Sequence, residues 1–217
     1  VNAKSNLAIY SHTGILTDSF AEKGHEVTLF GASDSVTKAK LHGFPPVEIS
    51  DSELPESVRR NYTHSLISQC YNNAADFDII HSHFTLLSSF YSGMVKTPTV
   101  SSVHTTITEE MKPLLIKYKD NRYISFSLSQ RQQMPELNWV ANVYHGIDTN
   151  LFTFNDTPKD YFLCIGRITE VKGIHHAIQA AKAAGVRLLI AGRSYANEGY
   201  WQKFIEPEID GINIGTL

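Results

Sequence analysis

Two cations stand five residues apart in the stretch Cys164-Ile165-Gly166-Arg167-Ile168-Thr169-Glu170-Val171-Lys172-Gly173. An apolar run leads into this stretch and a helical pattern leaves it. In open parallel sheets, ligands collect outside the carboxyl ends of the strands. The run over residues 161–166 delivers Gly166 and Arg167 to that edge. Lys172 and Gly173 fall where the next helix opens, and free N–H groups and the positive end of a helix dipole favour an anion there. A guanidinium, an ammonium and a helix start together suit a phosphate group. The competing reading of such a pair is two solvated loop cations.

A second group of residues could do different chemistry. His81 and His83 alternate onto one face of a strand near its carboxyl end, and His104 closes the next candidate strand. A His-x-His pair on a strand can ligate zinc. His81, His83 and His104 therefore admit a metal-dependent hydrolase, although the spacing identifies no carboxylate or other fourth ligand. The plainer reading makes them polar side chains satisfied at strand ends. Asp76-Phe77-Asp78 has the form of a metal-binding acidic motif, but it precedes its strand, at the amino end, and reads as a turn. His25, His175 and His176 are given no role.

The elements that must position these residues are short β-rich runs at 6–11, 25–32, 78–84, 97–104, 122–127, 139–146, 161–166, 186–192 and 211–215, alternating with helical or loop-like segments. Near-continuous apolar runs of this length, separated by helices, predict parallel strands covered on both faces. In residues 172–185, Ile174, Ile178 and Ala181 recur at helical spacing, and Gly185 follows as a C-terminal cap. Tyr161, Phe162 and Trp139 are assigned to the core with that stripe. The polar stretch 145–160, which contains Pro158, separates two blocks of strands and places a domain boundary near residue 150.

Two places look incomplete. The helical segment from Gly14 to Gly24 is short for the crossover that should follow a strand at 6–11, so residues are expected to be missing near Thr13 and Gly14. The second block ends at Leu217 just after a strand, so its sheet is expected to be unfinished.

Composition narrows the function classes. The formal charge is −3 over 217 residues with no run of like charge, which gives no electrostatic footprint for nucleic acid. Cys70 and Cys164 are the only cysteines and lack paired spacing, which predicts no disulfide and a cytoplasmic setting. The longest apolar stretches fall well short of the roughly 20 residues of a membrane span. Peripheral contact with a membrane surface stays open.

With these residues in place, the pattern Gly-Arg-Ile-Thr-Glu-Val-Lys-Gly-Ile, followed by Leu-Leu-Ile-Ala-Gly-Arg (188–193), resembles the donor-site motif of family 4 glycosyltransferases of the GT-B fold. The segments 24–35, 78–84, 101–106, 123–135 and 143–152 resemble successive family segments in the family's order and spacing. The resemblance implies two Rossmann-like parallel-sheet domains. Residues 1–150 would be the acceptor-side domain, and 151–217 the first part of an incomplete nucleotide-sugar donor domain. It implies retaining transfer of a sugar from a nucleoside-diphosphate sugar to a sugar, lipid or small-molecule acceptor, with no metal and no cofactor.

In that scheme Arg167 and Lys172 bind the donor diphosphate together with Gly166 and Gly173, and His104 lies beside the transferring sugar. His81, His83, His145 and Gly146 support the substrate side. Three departures stand out: the glycine-rich loop after the first strand is absent at Thr13 and Gly14, and the glutamate pair that contacts the donor ribose and sugar lies beyond Leu217. His145 replaces the asparagine common in relatives. A non-catalytic nucleotide-sugar binding module and the metal hydrolase remain as alternatives.

Overall fold

The computed structural model describes residues 8–45, 54–193 and 199–217. The chain divides into two compact units, Val1–Phe152 and Thr153–Leu217.

The first unit opens with helix α1 (Ala8–Glu22), where the sequence predicts a strand over 6–11. Asn6 and Leu7 lie outside the described residues. The β-prone side chains of residues 8–11 yield to a longer pattern, because Ile9, Thr13, Leu16 and Phe20 fall on one helical stripe that runs through the expected strand end. The Thr13 hydroxyl confirms the helical register by donating to the Ile9 carbonyl at 2.7 Å. Thr13 and Gly14 therefore sit inside a continuous helix.

Strands β1 (Thr28–Gly31) and β2 (Lys40–Gly43) follow and pair in parallel as a two-stranded sheet. Helix α2 (Glu56–Asn72) leads to β3 (Ile80–Ser82), α3 (Thr85–Ser92) and β4 (Thr99–Ser102). Next come α4 (Lys112–Leu115), β5 (Arg122–Ser125), α5 (Leu128–Arg131) and β6 (Trp139–Asn142). These last strands form one parallel sheet of order β3-β4-β5-β6, so every crossover returns the chain to the same edge.

Burial against that sheet falls into two clusters. Val103, Leu115, Tyr123, Met134 and Leu137 form one buried cluster, with Trp139 packed against it. Ile67, Tyr71, Ala74 and Ile80 form another. Strand β4 is built from small hydroxyls rather than large apolar groups. Tyr71 Oη meets Thr99 Oγ1 at 3.1 Å, Ser88 Oγ meets Ser101 Oγ at 3.1 Å, and Thr85 Oγ1 donates to the Ser102 carbonyl at 2.9 Å. Each of these buried hydroxyls has a partner, which is the condition for burying it at low cost.

The second unit contains β7 (Phe162–Ile165), α6 (Ile174–Ala184), β8 (Leu188–Ala191) and β9 (Ile214–Thr216) in a parallel sheet of order β7-β8-β9. The predicted stripe Ile174, Ile178 and Ala181 is buried against Leu188, Ile190 and Ile214. Gly185 caps α6, its N–H donating to the Ala181 and Lys182 carbonyls. Phe162 departs from expectation: it is 64 % exposed, not core, because β7 is an edge strand of this three-stranded sheet.

Candidate active site

The parallel order of the first unit's larger sheet brings four residues that follow its strands to one edge. His83 follows β3, His104 follows β4, Phe126 follows β5 and His145 follows β6. Their rings form a continuous row. Ring centroids are 5.0 Å apart for His83 and His104, 4.6 Å for His104 and Phe126, and 3.8 Å for Phe126 and His145, the last pair stacked within 15°. His12, on α1, lies across the row, 4.4 Å from His145 and 5.7 Å from His104.

Hydrogen bonds fix the inner end of the row. His83 Nδ1 and His104 Nε2 are 2.8 Å apart, and His81 Nε2 lies 2.8 Å from Ser102 Oγ. Burial, more than any other cause, holds these imidazoles neutral. It pushes His81 and His104 down to about 4 and His83 to about 2, with the neighbouring histidines adding to the effect. His12 and His145 are lowered as well, again mainly by burial.

At the outer end, His104, Phe126 and His145 border a cleft of about 250 Å³ with Thr105, Ser127 and Gln130. Gln130 braces its floor, accepting the Phe126 N–H at 2.9 Å and donating to the Val103 carbonyl at 2.7 Å. Such a cleft offers neutral imidazoles and hydroxyls to a polar, uncharged ligand face. Gly146 has open space where a Cβ would stand, so sterics do not require glycine there.

The row does not converge on a metal. His83 and His104 spend facing nitrogens on each other, and His81 spends one on Ser102. Among the described residues no group of three or more His, Cys, Asp or Glu side chains is arranged to hold a metal ion. Cys70 and Cys164 are free, and burial pushes the Cys70 thiol up to about 11.

In the second unit, Arg167 stands just beyond the carboxyl end of β7, and Lys172 closes a one-turn 3-10 helix, Glu170–Lys172. Both are exposed, and among the described residues neither forms an ion pair. Gly173 follows in the left-handed region at φ +65°, which lets the chain turn directly into α6. The α6 start is partly occupied: the His175 N–H donates to Tyr200 Oη at 3.1 Å, and His175 Nδ1 lies 2.5 Å from the same oxygen.

The β7–α6 loop is tied to the end of β8 by the Gly166 N–H to the Ala191 carbonyl at 3.0 Å and the Ile168 N–H to the Arg193 carbonyl at 2.9 Å. A Cβ at Gly192 would lie 1.8 Å from the Gly166 carbonyl oxygen. Gly192 is thus the glycine this loop demands on steric grounds, whereas Gly166 has open space around it.

A sequence model of glycosyltransferase family 4 matches residues 11–153, well over half the chain. The chain belongs to glycosyltransferase family 4. The match takes in the ring row and stops before Arg167. No curated protein matches the chain in sequence.

Among solved structures the chain is similar to AviGT4, a glycosyltransferase involved in avilamycin A biosynthesis, at 21% identity and a TM-score of 0.63, over 97% of this chain and 54% of that one. It is also similar to a glycosyltransferase from Rickettsia africae at 13% identity and a TM-score of 0.61, over all of this chain and 66% of that one. These likenesses, with parallel sheets in both units, give a fold of the GT-B type. The family 4 chain spans about half the length of AviGT4.

His12 and Phe126 are the site residues that sequence reasoning missed. Phe126 passes the same filter as His104, standing just beyond a strand's carboxyl end, and that signal was available. His12 was hidden by the expectation of a strand at 6–11. Among the described residues, no helix is long and apolar enough to cross a membrane.

Proposed function

We propose that this family 4 chain carries the machinery of a retaining glycosyltransferase that uses a nucleoside-diphosphate sugar and no metal. Residues 1–150 serve the acceptor and the transferring sugar, and residues 151–217 hold the donor diphosphate. The observation that carries this reading is the row His83–His104–Phe126–His145 at the carboxyl edge of a parallel sheet, inside the family match.

The difficult event is departure of the nucleoside diphosphate from the anomeric carbon. Negative charge grows on the β-phosphate while the sugar ring gains oxocarbenium character. Arg167 and Lys172 are free to meet that charge, and a cation matched to charge that develops in the transition state lowers the barrier. The bond from the anomeric carbon to the phosphate oxygen breaks as the acceptor oxygen bonds to the same face. The acceptor's hydroxyl proton passes to the departing phosphate.

His104, neutral and held by His83, is suited to hydrogen-bond a sugar hydroxyl. His81 stiffens β3 against β4 through Ser102, and His145 and Phe126 offer a flat wall to the sugar or acceptor. The acceptor is a sugar, a lipid or another small molecule, and the setting is cytoplasmic.

Calorimetry with uridine and guanosine diphosphates, with and without chelator, tests this reading. Binding that survives chelation is expected. Binding that requires a divalent ion would remove the metal-free scheme, and hydrolysis of a nucleotide sugar by bound zinc would replace it with the hydrolase.

A further inference from the structure

Two glutamines border the cleft beside His104, and they use their amides differently. Gln130 is engaged at both ends. Its Oε1 accepts the Phe126 N–H at 2.9 Å, and its NH2 group donates to the Val103 carbonyl at 2.7 Å and reaches the Thr105 carbonyl at 3.4 Å. Gln133 is engaged at one end only, where Oε1 accepts the Ile107 N–H at 2.8 Å. It is half-buried and lines the cleft, yet among the described residues its NH2 group has no acceptor.

The Ile107 N–H fixes which way this amide faces. Ile107 is 4 % exposed and packs with Val103, Met134 and Leu137, so its N–H needs a partner inside the protein. Only the carbonyl end of the Gln133 amide can accept it. The NH2 end is thereby left as a donor for whatever enters the cleft. The side-chain hydroxyls of Thr105, Thr106, Ser127 and Ser129 can turn to give or to take a hydrogen bond, and a neutral imidazole does one with each nitrogen. The unspent group of Gln133 can only give.

That asymmetry selects a ligand group. An amide that accepts at one end is polarised to donate more strongly at the other, and its best complement is an oxygen that only accepts. Two common sugar substituents carry such an oxygen, a carboxylate and an acetamido carbonyl. Among the described residues, no lysine or arginine lines the cleft, so a carboxylate would give up its hydration without a counter-charge. The neutral carbonyl avoids that cost. Phe126 and His145, stacked within 15°, give the planar acetamido group a flat wall.

We propose that Gln133 is a specificity-determining residue that donates to the acetamido carbonyl of an N-acetylated sugar bound beside His104. The inference rests on the glycosyltransferase reading for the presence of a sugar, and adds the class of sugar that the cleft prefers.

Gln133→Glu separates this role from a structural one. A carboxylate still accepts the Ile107 N–H but has nothing to donate, whereas Gln133→Ala would leave that buried N–H without a partner and cost stability. The probes are the methyl glycosides of N-acetylglucosamine, N-acetylgalactosamine, glucose, galactose and glucuronic acid. Proton–nitrogen correlation spectra follow each titration, and the Gln133 NH2 pair is assigned by its loss in Gln133→Glu.

An N-acetyl glycoside should bind the wild-type chain about tenfold more tightly than its hydroxyl counterpart, the scale of one net hydrogen bond, and should move the Gln133 NH2 pair. In Gln133→Glu that preference should vanish, with the hydroxyl glycosides bound as in the wild type. Equal affinity for the two kinds of sugar in the wild type overturns the proposal, as does failure of all the glycosides to bind. A preference that persists in Gln133→Glu, or tightest binding of the glucuronide, overturns it too. Calorimetry with uridine and guanosine diphosphates on the same protein keeps the two claims apart: lack of diphosphate binding beside an intact acetamido preference counts against the donor reading and not against Gln133.

Discussion

His83 Nδ1 lies 2.8 Å from His104 Nε2, so two half-buried imidazoles share a single proton. Only one of the facing nitrogens carries it, and that choice fixes which tautomer His104 presents with its other nitrogen. Because burial keeps both rings neutral, the pair works as a rigid polar contact and not as a charge. Phe126 on one side and His12 on the other hold the His104 ring in place.

His104→Ala should therefore slow sugar transfer by about tenfold or more, the scale of a positioned polar group, while leaving affinity for a nucleoside diphosphate nearly unchanged. His83→Ala should produce a smaller loss in turnover through the freed His104 ring. Steady-state kinetics paired with calorimetry separates the two effects. Equal losses in diphosphate affinity and turnover for His104→Ala would place this residue on the nucleotide instead.

The same burial makes the fold acid-sensitive. Above about pH 6.5, the ordinary histidine value, neither the folded nor the unfolded chain protonates these rings. Between about 6.5 and about 4 the unfolded chain binds protons that folded His81 refuses, so stability falls as pH falls through that window. A histidine displaced that far contributes a loss on the order of 3 kcal/mol by the bottom of the window. Urea unfolding at pH 7.5, 6 and 5 should show the midpoint dropping. His81→Gln should flatten the drop, and an unchanged slope in that variant would show that His81 is not the group responsible.

Gly192→Ala should disturb the donor-side loop without touching any proposed ligand contact. The added methyl would fall on the Gly166 carbonyl, so either β8 or the loop that carries Arg167 must move. Overpacking of this kind costs about 1–3 kcal/mol. Thermal unfolding should report the loss, and diphosphate affinity should weaken with it. Wild-type values of both would mean the loop has more room than the backbone spacing implies.

The sheet edge was readable in the sequence and its contents were only partly so. β3 through β8 fall within the expected runs and β9 overlaps its run but ends one residue beyond it, because each is a short apolar or β-branched stretch. β2 escaped notice because Lys-Leu-His-Gly alternates weakly and is exposed at both ends. Helix α1 was misread at its start because Leu7 to Tyr10 suit a strand locally, and the helical stripe to Phe20 outweighs them only when the whole segment is read. Gly192 was legible as part of a motif, but its necessity comes from the approach of Gly166, a tertiary contact that no local pattern encodes. The Tyr200 hydroxyl at the α6 start belongs to the same class.

The exposed cations of the second unit carry the sharpest test. Arg167 and Lys172 have no carboxylate partner among the described residues, so a diphosphate would gain their full charge-assisted bonds instead of competing for them. Those bonds strengthen as the leaving group gains charge, so truncation should cost the transition state more than the ground state. By analogy with removal of one preorganised oxyanion donor, Arg167→Ala or Lys172→Ala should each lose on the order of 3 kcal/mol, about a hundredfold in rate. Arg167→Lys should recover part of it, since a point charge cannot reproduce a planar bidentate fork. Tyr200→Phe is the complementary probe: it frees the His175 N–H at the α6 start and should leave diphosphate affinity the same or slightly higher. Turnover at the wild-type rate by both alanine variants, in an enzyme active on a nucleotide sugar, would return Arg167 and Lys172 to the status of solvated loop residues.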